Sequence, residues 1–431
     1  MMSKPSSWKL LVPSFLLLAF GTSQFAAATT LCVNPKGTGG CYSTITAALA
    51  AAAAGSTINV AAGTYAEDVI ISKSVYLIGA GSSKTIVNAL GLPNALYIDG
   101  LDHPGLSGVT VQGFKFENAN FEGIAATSAS NVNIWGNLVT GNDKSQDTAS
   151  GTCPGLPAWE TAEGLDCGEG IHLSGTSYST IADNVSEGNA GGILITDNTA
   201  ISQYNVIARN TIKDNLYDCG ITMPSQPPYP SGGSPHGIVN NIIYNNTSTG
   251  NGTGLAGAGA GVLLAAGAPG ESIKNTLIIG NTITHNGIPG VVFHAHSTAV
   301  TIQNTIVAGN VINNNGADVG DAVTPGTTGI NFFGAATGGA AAQMSGTQIY
   351  GNTISGEEYA IIANSSTNPL TVHLNNLTNV GKSGLDSLSA GTVDATQNYW
   401  GCTEGPANAA CSSVAGSNVT MDPYLPMAAE Y

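Results

Sequence analysis

The chain has 431 residues, of which 42% are hydrophobic and only 9% are charged, and it carries 57 glycines. This composition excludes a disordered chain and a protein built of membrane spans, and it is typical of an extended β-structure rich in small residues. The formal net charge of −16 argues against nucleic acid and anionic membranes as partners, because both repel an acidic protein.

The first 28 residues have the pattern of a secretory signal peptide. Lys4 and Lys9 precede an apolar run over residues 10–20, and an alanine triplet ending at Ala28 offers a cleavage site. The run is too short to span a membrane, and no later segment approaches that length. We therefore expect a secreted or periplasmic protein that is cleaved after Ala28, with one domain over 29–431.

Residues 42–60, YSTITAALAAAAAGSTINV, begin that domain with an Ala-rich helical sequence closed by Gly55. A helix here can cover the open end of a stack of strands, which would otherwise template aggregation. We predict an N-terminal cap over 29–60 and a C-terminal cap over 395–431, where Trp400 follows the last repeat.

The seven cysteines suit an oxidising compartment. Six of them lie in pairs that are close in sequence, and we propose three local disulfides, although spacing alone does not prove connectivity. The pairs are Cys32 with Cys41, Cys153 with Cys167, and Cys402 with Cys411. Cys219 is left over and is predicted to be a buried thiol.

Between the caps the sequence repeats one phrase, as in LIIGNTITHN at 277–286, where two short apolar alternations flank a recurring Asn. Most units add a second segment such as GILI at 192–195, in which Ile193 and Ile195 face inward on a strand. Units of about two dozen residues with two or three short strands are coils of a parallel β-helix, which bury their inward side chains only when stacked.

The recurring asparagines are predicted to form a structural ladder. Asn tolerates the left-handed conformation of a sharp turn, and its amide can bond to the Asn one coil away, roughly 4.8 Å along the stack. The predicted members are Asn137, Asn184, Asn210, Asn246, Asn281, Asn310, Asn352 and Asn376, with Asn398 in the final repeat.

These repeats resemble the right-handed parallel β-helix proteins of the pectin-lyase-like superfamily. The opening TITAALAAAAAGSTINVAAGTYAEDVIISKSVYLIGAG is similar to the start of several branches, and the NYWG…GP ending is similar to that of secreted repeat proteins that include the NosD-like group. The resemblance covers nearly all of the mature chain. It implies an all-β, single-stranded right-handed parallel β-helix (solenoid) with an N-terminal helical cap, but no activity, because enzymes and adhesins share this scaffold.

Pectin methylesterase gives the most specific enzymatic match. GTYAE at 63–67 matches its early G-x-Y-x-E, SQDT at 145–148 resembles its Q-D-T and would make Asp147 the acid/base, and Asp166 lies near the place of its nucleophile. The aromatic D-F-I-F-G context and the L-G-R-P-W arginine are absent, since the one arginine, Arg209, lies in a ladder turn. The clustered cations of pectate-type lyases and the polygalacturonase motifs are also missing.

The strand register gathers an acidic patch near 147–172. The catalytic candidates are Asp166, Glu169, His172 and Asp147, and the substrate-binding candidates are Trp159, Glu160, Glu163, Asp218 and Tyr229. Strand alternation points His172 outward beside the acids, and the insertions over 143–167 and 225–235 are long enough to build a binding face. Carboxylates beside Trp and Tyr suit sugar stacking and acid–base chemistry, whereas a solvated acidic rim is the alternative.

Two functions follow from this patch. The first is a secreted, non-catalytic protein that binds carbohydrate or serves as an envelope or extracellular structure. The alternative is a polysaccharide-active hydrolase, esterase or lyase, which needs two carboxyl groups roughly 5–9.5 Å apart in an open cleft. Burial of Glu169 under the insertion would remove the main support for the alternative.

A polysaccharide or other glycan is the expected partner. Loss of Lys4 and Lys9 with the signal peptide leaves nine of the 11 basic residues against 27 acidic ones, so polyuronates would be repelled unless calcium intervened. We predict no cofactor and leave calcium open. No metal site is predicted either, because the histidines at 236, 285, 294 and 296 fall on several coils.

Overall fold

The computed structural model describes residues 27–145, 152–160, 167–334, 343–363, 369–388 and 391–430. Short strands follow one another around each coil. In the described chain, every strand pairs in parallel with the strand one coil away. The architecture is the predicted all-β parallel solenoid with an N-terminal helical cap. The predicted cleavage after Ala28 and the cap boundaries stay predictions.

Sheet A runs from one end of the described chain to the other. Its strands are Thr30–Val33, Ser56–Val60, Val75–Gly79, Ser107–Gln112, Ser130–Trp135, Thr180–Ala182, Val206–Ala208, Ile242–Tyr244, Leu277–Ile279, Ile306–Ala308, Thr347–Tyr350, Leu370–His373, Val393–Asp394 and Val419–Thr420.

Sheet B follows sheet A in each coil after a tight corner. Its strands are Gly63–Tyr65, Thr85–Asn88, Lys115–Glu117, Leu138–Thr140, Val185–Glu187, Thr211–Lys213, Thr247–Thr249, Thr282–Thr284, Val311–Asn313, Thr353–Ser355 and Asn376–Thr378.

Sheet C completes the coil. Its strands are Val69–Ile71, Leu96–Asp99, Ile124–Thr127, Glu169–Ser174, Gly191–Thr196, Ile221–Ser225, Val262–Ala266, Val291–Ala295, Thr328–Gly334, Tyr359–Ala363, Ser383–Ser387 and Val414–Ala415. A smaller sheet D lies between sheets C and A and contains Ser202–Gln203, Ile238–Val239, Ser272–Lys274, Thr301–Gln303 and Gln343–Ser345.

The inward side chains form the core of the solenoid. In sheet A the central residues Ile181, Ile207, Ile243 and Ile278 occupy one register position and are at most 1% exposed. Each such side chain contributes roughly 1.5–3 kcal/mol when it leaves water. Because a coil has apolar partners only above and below it, stacking is what makes this burial possible.

The helix Ile45–Ala51 covers the first coils, as the Ala-rich sequence predicts. Its Ala48 and Leu49 are buried, and the Thr44 side chain caps its start by accepting a hydrogen bond from Ala47 N. Glu67 accepts hydrogen bonds from two backbone amides of the first turn, at 2.8 and 2.9 Å. The Glu of the GTYAE motif is therefore a helix cap in this protein.

A ladder of asparagines stands at the corner between sheets A and B. Each amide donates to the carbonyl oxygen of the next asparagine at 2.9–3.1 Å, in the order Asn137, Asn184, Asn210, Asn246, Asn281, Asn310, Asn352, Asn375 and Asn398. The prediction of Asn376 is wrong by one residue. The ladder residue directly precedes the sheet B strand, and Asn376 is already the first residue of Asn376–Thr378.

A second amide ladder stands at the corner between sheets B and C, and the sequence reasoning missed it. Its members are Asn142, Asn189, Asn215, Asn251, Asn286 and Asn315, linked at 2.9–3.2 Å. The last amide donates to Glu357 Oε1 at 3.0 Å, so the ladder ends on a carboxyl group. Both corners are thus fixed by buried hydrogen bonds along the stack.

The three disulfides join the predicted pairs, Cys32 with Cys41, Cys153 with Cys167 and Cys402 with Cys411. Cys219 is a free, buried thiol, as predicted. Within the described residues, no helix has the length and apolar character needed to cross a membrane.

Candidate functional site

The outer face of sheet C is flanked by long connections. The segments 141–168, 250–261 and 314–327 lead into it from sheet B, and the segment 226–237 leads away from it. Two clusters of titratable side chains lie on this face. The first, which we call the acidic cluster, consists of Glu122, Glu160, Glu169 and His172.

Strand register explains how the acidic cluster assembles. His172 points outward from the strand Glu169–Ser174, and its Nδ1 lies 3.2 Å from Glu122 Oε1 and 3.1 Å from Glu160 Oε1. Its Nε2 lies 2.9 Å from Thr196 Oγ1 on the next coil. Glu122 also accepts a hydrogen bond from the backbone N–H of Glu169 at 2.8 Å. Of the predicted residues, Glu160, Glu169 and His172 therefore come together, with Glu122 as a member that the sequence reasoning missed.

The acidic cluster is closed to solvent. Trp159 stacks on Tyr97 with 6.2 Å between ring centroids and lies tilted over His172 at 5.5 Å. Glu122 is fully buried, and Glu169 is 3% exposed. Trp159 is itself buried, so it is not available as a platform for a sugar. The burial of Glu169 removes the main support for an acid–base active site at this cluster.

Burial also sets the protonation of the acidic cluster. Desolvation raises the pKa of Glu122 well above its usual range, and the nearby Glu160 raises it further, although His172 opposes the shift. Desolvation lowers the pKa of His172, but its hydrogen bonds to Glu122 and Glu160 outweigh this and raise the pKa to about 10. The shifts favour a protonated His172 between the two carboxyl groups, and burial favours the neutral form of Glu122.

Two other predicted site residues are described, and the nearer of them, Asp218, lies beside Glu169 across Gly191. Asp218 is half-buried, accepts a hydrogen bond from Thr222 Oγ1 at 3.0 Å, and has a pKa that desolvation raises. Tyr229 is half-buried in the 226–237 connection, where its backbone N–H bonds to Asn198 O. Three predicted residues lie outside the described residues, namely Asp147, Glu163 and Asp166.

The second cluster, which we call the histidine cluster, consists of His294, His296 and Asp321. It lines a cleft of about 390 Å³ that opens to solvent over sheet C, together with Gln226 and Glu271. Burial and the charge of His294 lower the pKa of His296. Sequence reasoning did not join Asp321 to the histidines, because Asp321 comes from a connection of the next coil.

The outer face of sheet A carries a row of exposed aromatic side chains. Trp135, Tyr244 and Tyr350 occupy the same register position and are 45%, 42% and 39% exposed. Three coil steps separate each ring from the next, which is about 14 Å at the usual spacing of strands. Small or aliphatic residues fill the steps between them, in the order Ala182, Ala208, Ile279 and Ala308.

Polar groups surround the first ring of this row. A shallow cleft of about 500 Å³ is lined by Trp135, Asn133, Thr180, Asp183 and Arg209. The guanidinium of Arg209 donates to Asp183 through Nε at 2.9 Å and through Nη2 at 2.7 Å. A fixed carboxylate and guanidinium beside an exposed indole can bond to hydroxyl groups while the ring stacks on an apolar face.

The aromatic row was not predicted, although the sequence contains its signal. Each member closes a sheet A strand of the repeat, in NIW at 133–135, IIY at 242–244 and QIY at 348–350. The coils between these members carry Ala or Ile at that position. Comparing side chains at a fixed position of the repeat, rather than searching for acids, would have revealed the row.

Comparison with known proteins agrees with the fold. Residues 91–267 match the family model described as the right-handed beta helix region. No curated protein matches the chain in sequence.

Solved structures give distant similarities. An alginate lyase from Paenibacillus sp. str. FPU-7 is 13% identical with a TM-score of 0.41, over 76% of this chain and 95% of that chain. The A-module of the mannuronan C-5 epimerase AlgE6 of Azotobacter vinelandii is 17% identical with a TM-score of 0.42, over 90% of this chain and 94% of that chain. The pectin methylesterase PemA from Erwinia chrysanthemi is 11% identical with a TM-score of 0.34, over 65% of this chain and 90% of that chain.

These identities are too low to assign any neighbour's activity to this chain. The fold itself rests on the parallel sheets, the two amide ladders and the match over residues 91–267. The described chain folds as a parallel β-helix, and residues 91–267 match the right-handed beta helix region.

Proposed function

We propose that this chain is a secreted protein that binds an uncharged polysaccharide along the outer face of sheet A. The observation that supports this most directly is the aromatic row of Trp135, Tyr244 and Tyr350, which is exposed and recurs every three coil steps. An exposed aromatic ring can stack on the apolar face of a pyranose ring. A chain of sugars running parallel to the solenoid axis would meet all three rings.

The negative charge of the protein favours a neutral glycan over an acidic one. Acidic residues outnumber basic ones, 27 to 11 in the whole chain, so a polyanionic chain would be repelled from most of the surface. The one arginine beside the row is already paired with Asp183. The row is therefore suited to hydroxyl groups and apolar ring faces, as a neutral polysaccharide presents them.

Secretion is part of this proposal. The basic, apolar and small-residue pattern of the first 28 residues supports it, and the three disulfides are compatible with an oxidising compartment. The alternative, a polysaccharide-active enzyme that uses the acidic cluster, is weakened because Glu122 and Glu169 are covered by Trp159 and its segment.

Binding to a panel of neutral insoluble polysaccharides and soluble oligosaccharides tests the proposal. We expect Trp135→Ala and Tyr244→Ala each to weaken binding about tenfold, because an exposed ring loses its stacking contact. Tyr76→Ala is the matched control, since Tyr76 is an equally exposed tyrosine in the other outward column of sheet A. Wild-type affinity in Trp135→Ala, or no binding to any neutral glycan, would contradict the proposal.

The same samples test the enzymatic alternative. Wild-type protein and Glu169→Ala are incubated with each polysaccharide that binds, and the solution is assayed for new reducing ends, unsaturated products and released methanol. Binding without any product supports the non-catalytic function. Product formation that Glu169→Ala abolishes would restore the acidic cluster as an active site.

A further inference from the structure

We propose that His294, His296 and Asp321 form a binding site for a first-row divalent transition-metal ion such as Zn²⁺. The site lies in the sheet C cleft and is separate from the acidic cluster and from the aromatic row. His294 lies on the strand Val291–Ala295, and His296 follows two residues later on the same face. Asp321 reaches them from the 314–327 connection.

The ligand atoms converge at distances that one ion can bridge. His294 Nδ1 lies 3.5 Å from Asp321 Oδ2, and His296 Nε2 lies 3.8 Å from the same oxygen. Two ligands held about 2.1 Å from a tetrahedral ion lie roughly 3.4 Å apart. Small rotations of the two exposed side chains, His296 and Asp321, would bring all three atoms into contact with one ion.

A fourth residue orients the most buried ligand. His294 Nε2 lies 2.9 Å from Asp318 Oδ2, so a neutral imidazole donates this N–H to Asp318 and turns the lone pair of Nδ1 towards Asp321. A carboxylate that fixes the second nitrogen of a histidine is the usual partner of a metal-bound imidazole. Asp318 also accepts hydrogen bonds from the backbone of Asp321 at 2.9 Å and of Ala322 at 3.2 Å, which holds the connection over the cleft.

The ligand set favours transition metals over calcium. Two imidazole nitrogens and one carboxylate oxygen are the ligands that Zn²⁺, Fe²⁺ and Mn²⁺ accept, whereas Ca²⁺ takes oxygen ligands almost entirely. The side chain of Asp321 is 53% exposed and that of His296 is 37% exposed, so an ion can enter from solvent. Three protein ligands leave at least one coordination position open towards the cleft.

Equilibrium dialysis of the purified wild-type chain against ZnCl₂, with metal analysis, tests the site, and Co²⁺ absorption reports the ligand geometry. We expect one equivalent of Zn²⁺ per chain and an at least tenfold weaker Kd in His296→Ala and in Asp321→Asn. Asp318→Asn should weaken binding by 10–100-fold through loss of orientation. His296 and Asp321 are exposed to solvent, so their substitution should leave the fold intact. Asp318 is buried, and its substitution could disturb the fold. Circular dichroism therefore checks the folding of each variant.

His373→Ala is the matched control. His373 also faces a carboxylate, with its Nε2 3.0 Å from Asp394 Oδ1, but no third ligand is grouped with this pair in the described residues. It should leave Zn²⁺ binding unchanged. Less than a tenth of an equivalent bound by wild type at excess Zn²⁺, or full binding by both His296→Ala and Asp321→Asn, would overturn the proposal.

Discussion

At the scale of the residue, asparagine gives each corner of the coil several buried hydrogen bonds at once. Asn210 accepts from the backbone and the side chain of Asn184 at 3.0 Å, and donates to Asn246 at 3.0 Å and to Ile181 O at 2.9 Å. No other side chain of this size offers an acceptor and two donors without charge. The ladder is therefore a continuous network in which each member satisfies its neighbours.

Neighbouring asparagines near the C-terminal end provide a matched test of that network. We expect Asn375→Ala to lower the free energy of unfolding by about 2–4 kcal/mol, because buried groups on Asn352 and Asn398 lose their partner. Asn376→Ala should cost roughly 0.5–1.5 kcal/mol, since Asn376 bonds to the backbone of Ala429 near the chain end. Urea unfolding of both variants measures the difference, and equal losses would contradict the assigned ladder.

The residue that ends the second ladder makes stability depend on pH. Desolvation raises the pKa of Glu357 to about 7, against the opposing hydrogen bonds from Asn315. The folded state therefore keeps a proton that the unfolded state releases at a lower pH, near 4.3. Between these values the folded state binds more protons, so the free energy of unfolding must fall as the pH rises towards 7.

Glu357→Gln should remove this dependence. The amide oxygen can still accept from Asn315, and no buried charge forms at high pH, so we expect the variant to be about 1–3 kcal/mol more stable than wild type at pH 8. At pH 4 the two proteins should unfold at similar urea concentrations. Glu358→Gln is the control, since Glu358 is exposed and paired with Lys382. A wild-type profile in Glu357→Gln would show that Glu357 does not titrate as proposed.

At the scale of the element, the described segment 152–160 is held on sheet C by two kinds of contact. Its Glu160 bonds to His172, and its Trp159 stacks on Tyr97. The disulfide between Cys153 and Cys167 fixes its other side. The segment therefore covers His172, and its contact with the imidazole is one of three attachments.

His172→Ala should detach this cover. Removing one partner of a buried ion pair costs roughly 3–5 kcal/mol, because Glu122 and Glu160 lose their hydrogen bonds to the imidazole inside the protein. The test is made in a Trp135→Phe background, which removes an exposed tryptophan. The tryptophans that remain after residue 28 are Trp159 and the buried Trp400, so a change in fluorescence reports on Trp159. We expect red-shifted emission and stronger acrylamide quenching from Trp159. Unchanged emission would mean that the stacking on Tyr97 is enough to hold the cover. His373→Ala is the control for loss of a partly exposed histidine elsewhere.

Some elements could be predicted from the sequence and others could not. The parallel solenoid, its helical cap and the disulfide pairs followed from the repeat period and the cysteine spacing, which are local properties of the chain. The ladder was misplaced at Asn376 because an Asn–Asn pair leaves the register ambiguous by one residue. Glu122 and Asp321 were missed because contacts between coils depend on the length of each insertion, and no local pattern encodes which side chains those insertions bring together.

At the scale of the whole molecule, stacked coils convert a repeated position into a continuous row on the surface. Trp135 and Tyr350 are six coil steps apart, which is about 29 Å at the spacing of neighbouring strands. The asparagine ladders keep this distance fixed, because each coil is bonded to the next at two corners. A rigid row of this kind suits a ligand that is itself long and regular.

The length of the glycan should therefore control its affinity. An oligosaccharide that reaches one ring gains one stacking contact, whereas a chain that reaches two or three rings gains further contacts without a further loss of translational freedom. We expect the Kd, measured by calorimetry over a series of neutral oligomers, to fall in steps as the chain spans each interval of about 14 Å. Tyr244→Ala should remove the middle step and leave the shortest oligomers unaffected at Trp135. An affinity independent of length would show that the rings do not act as one row.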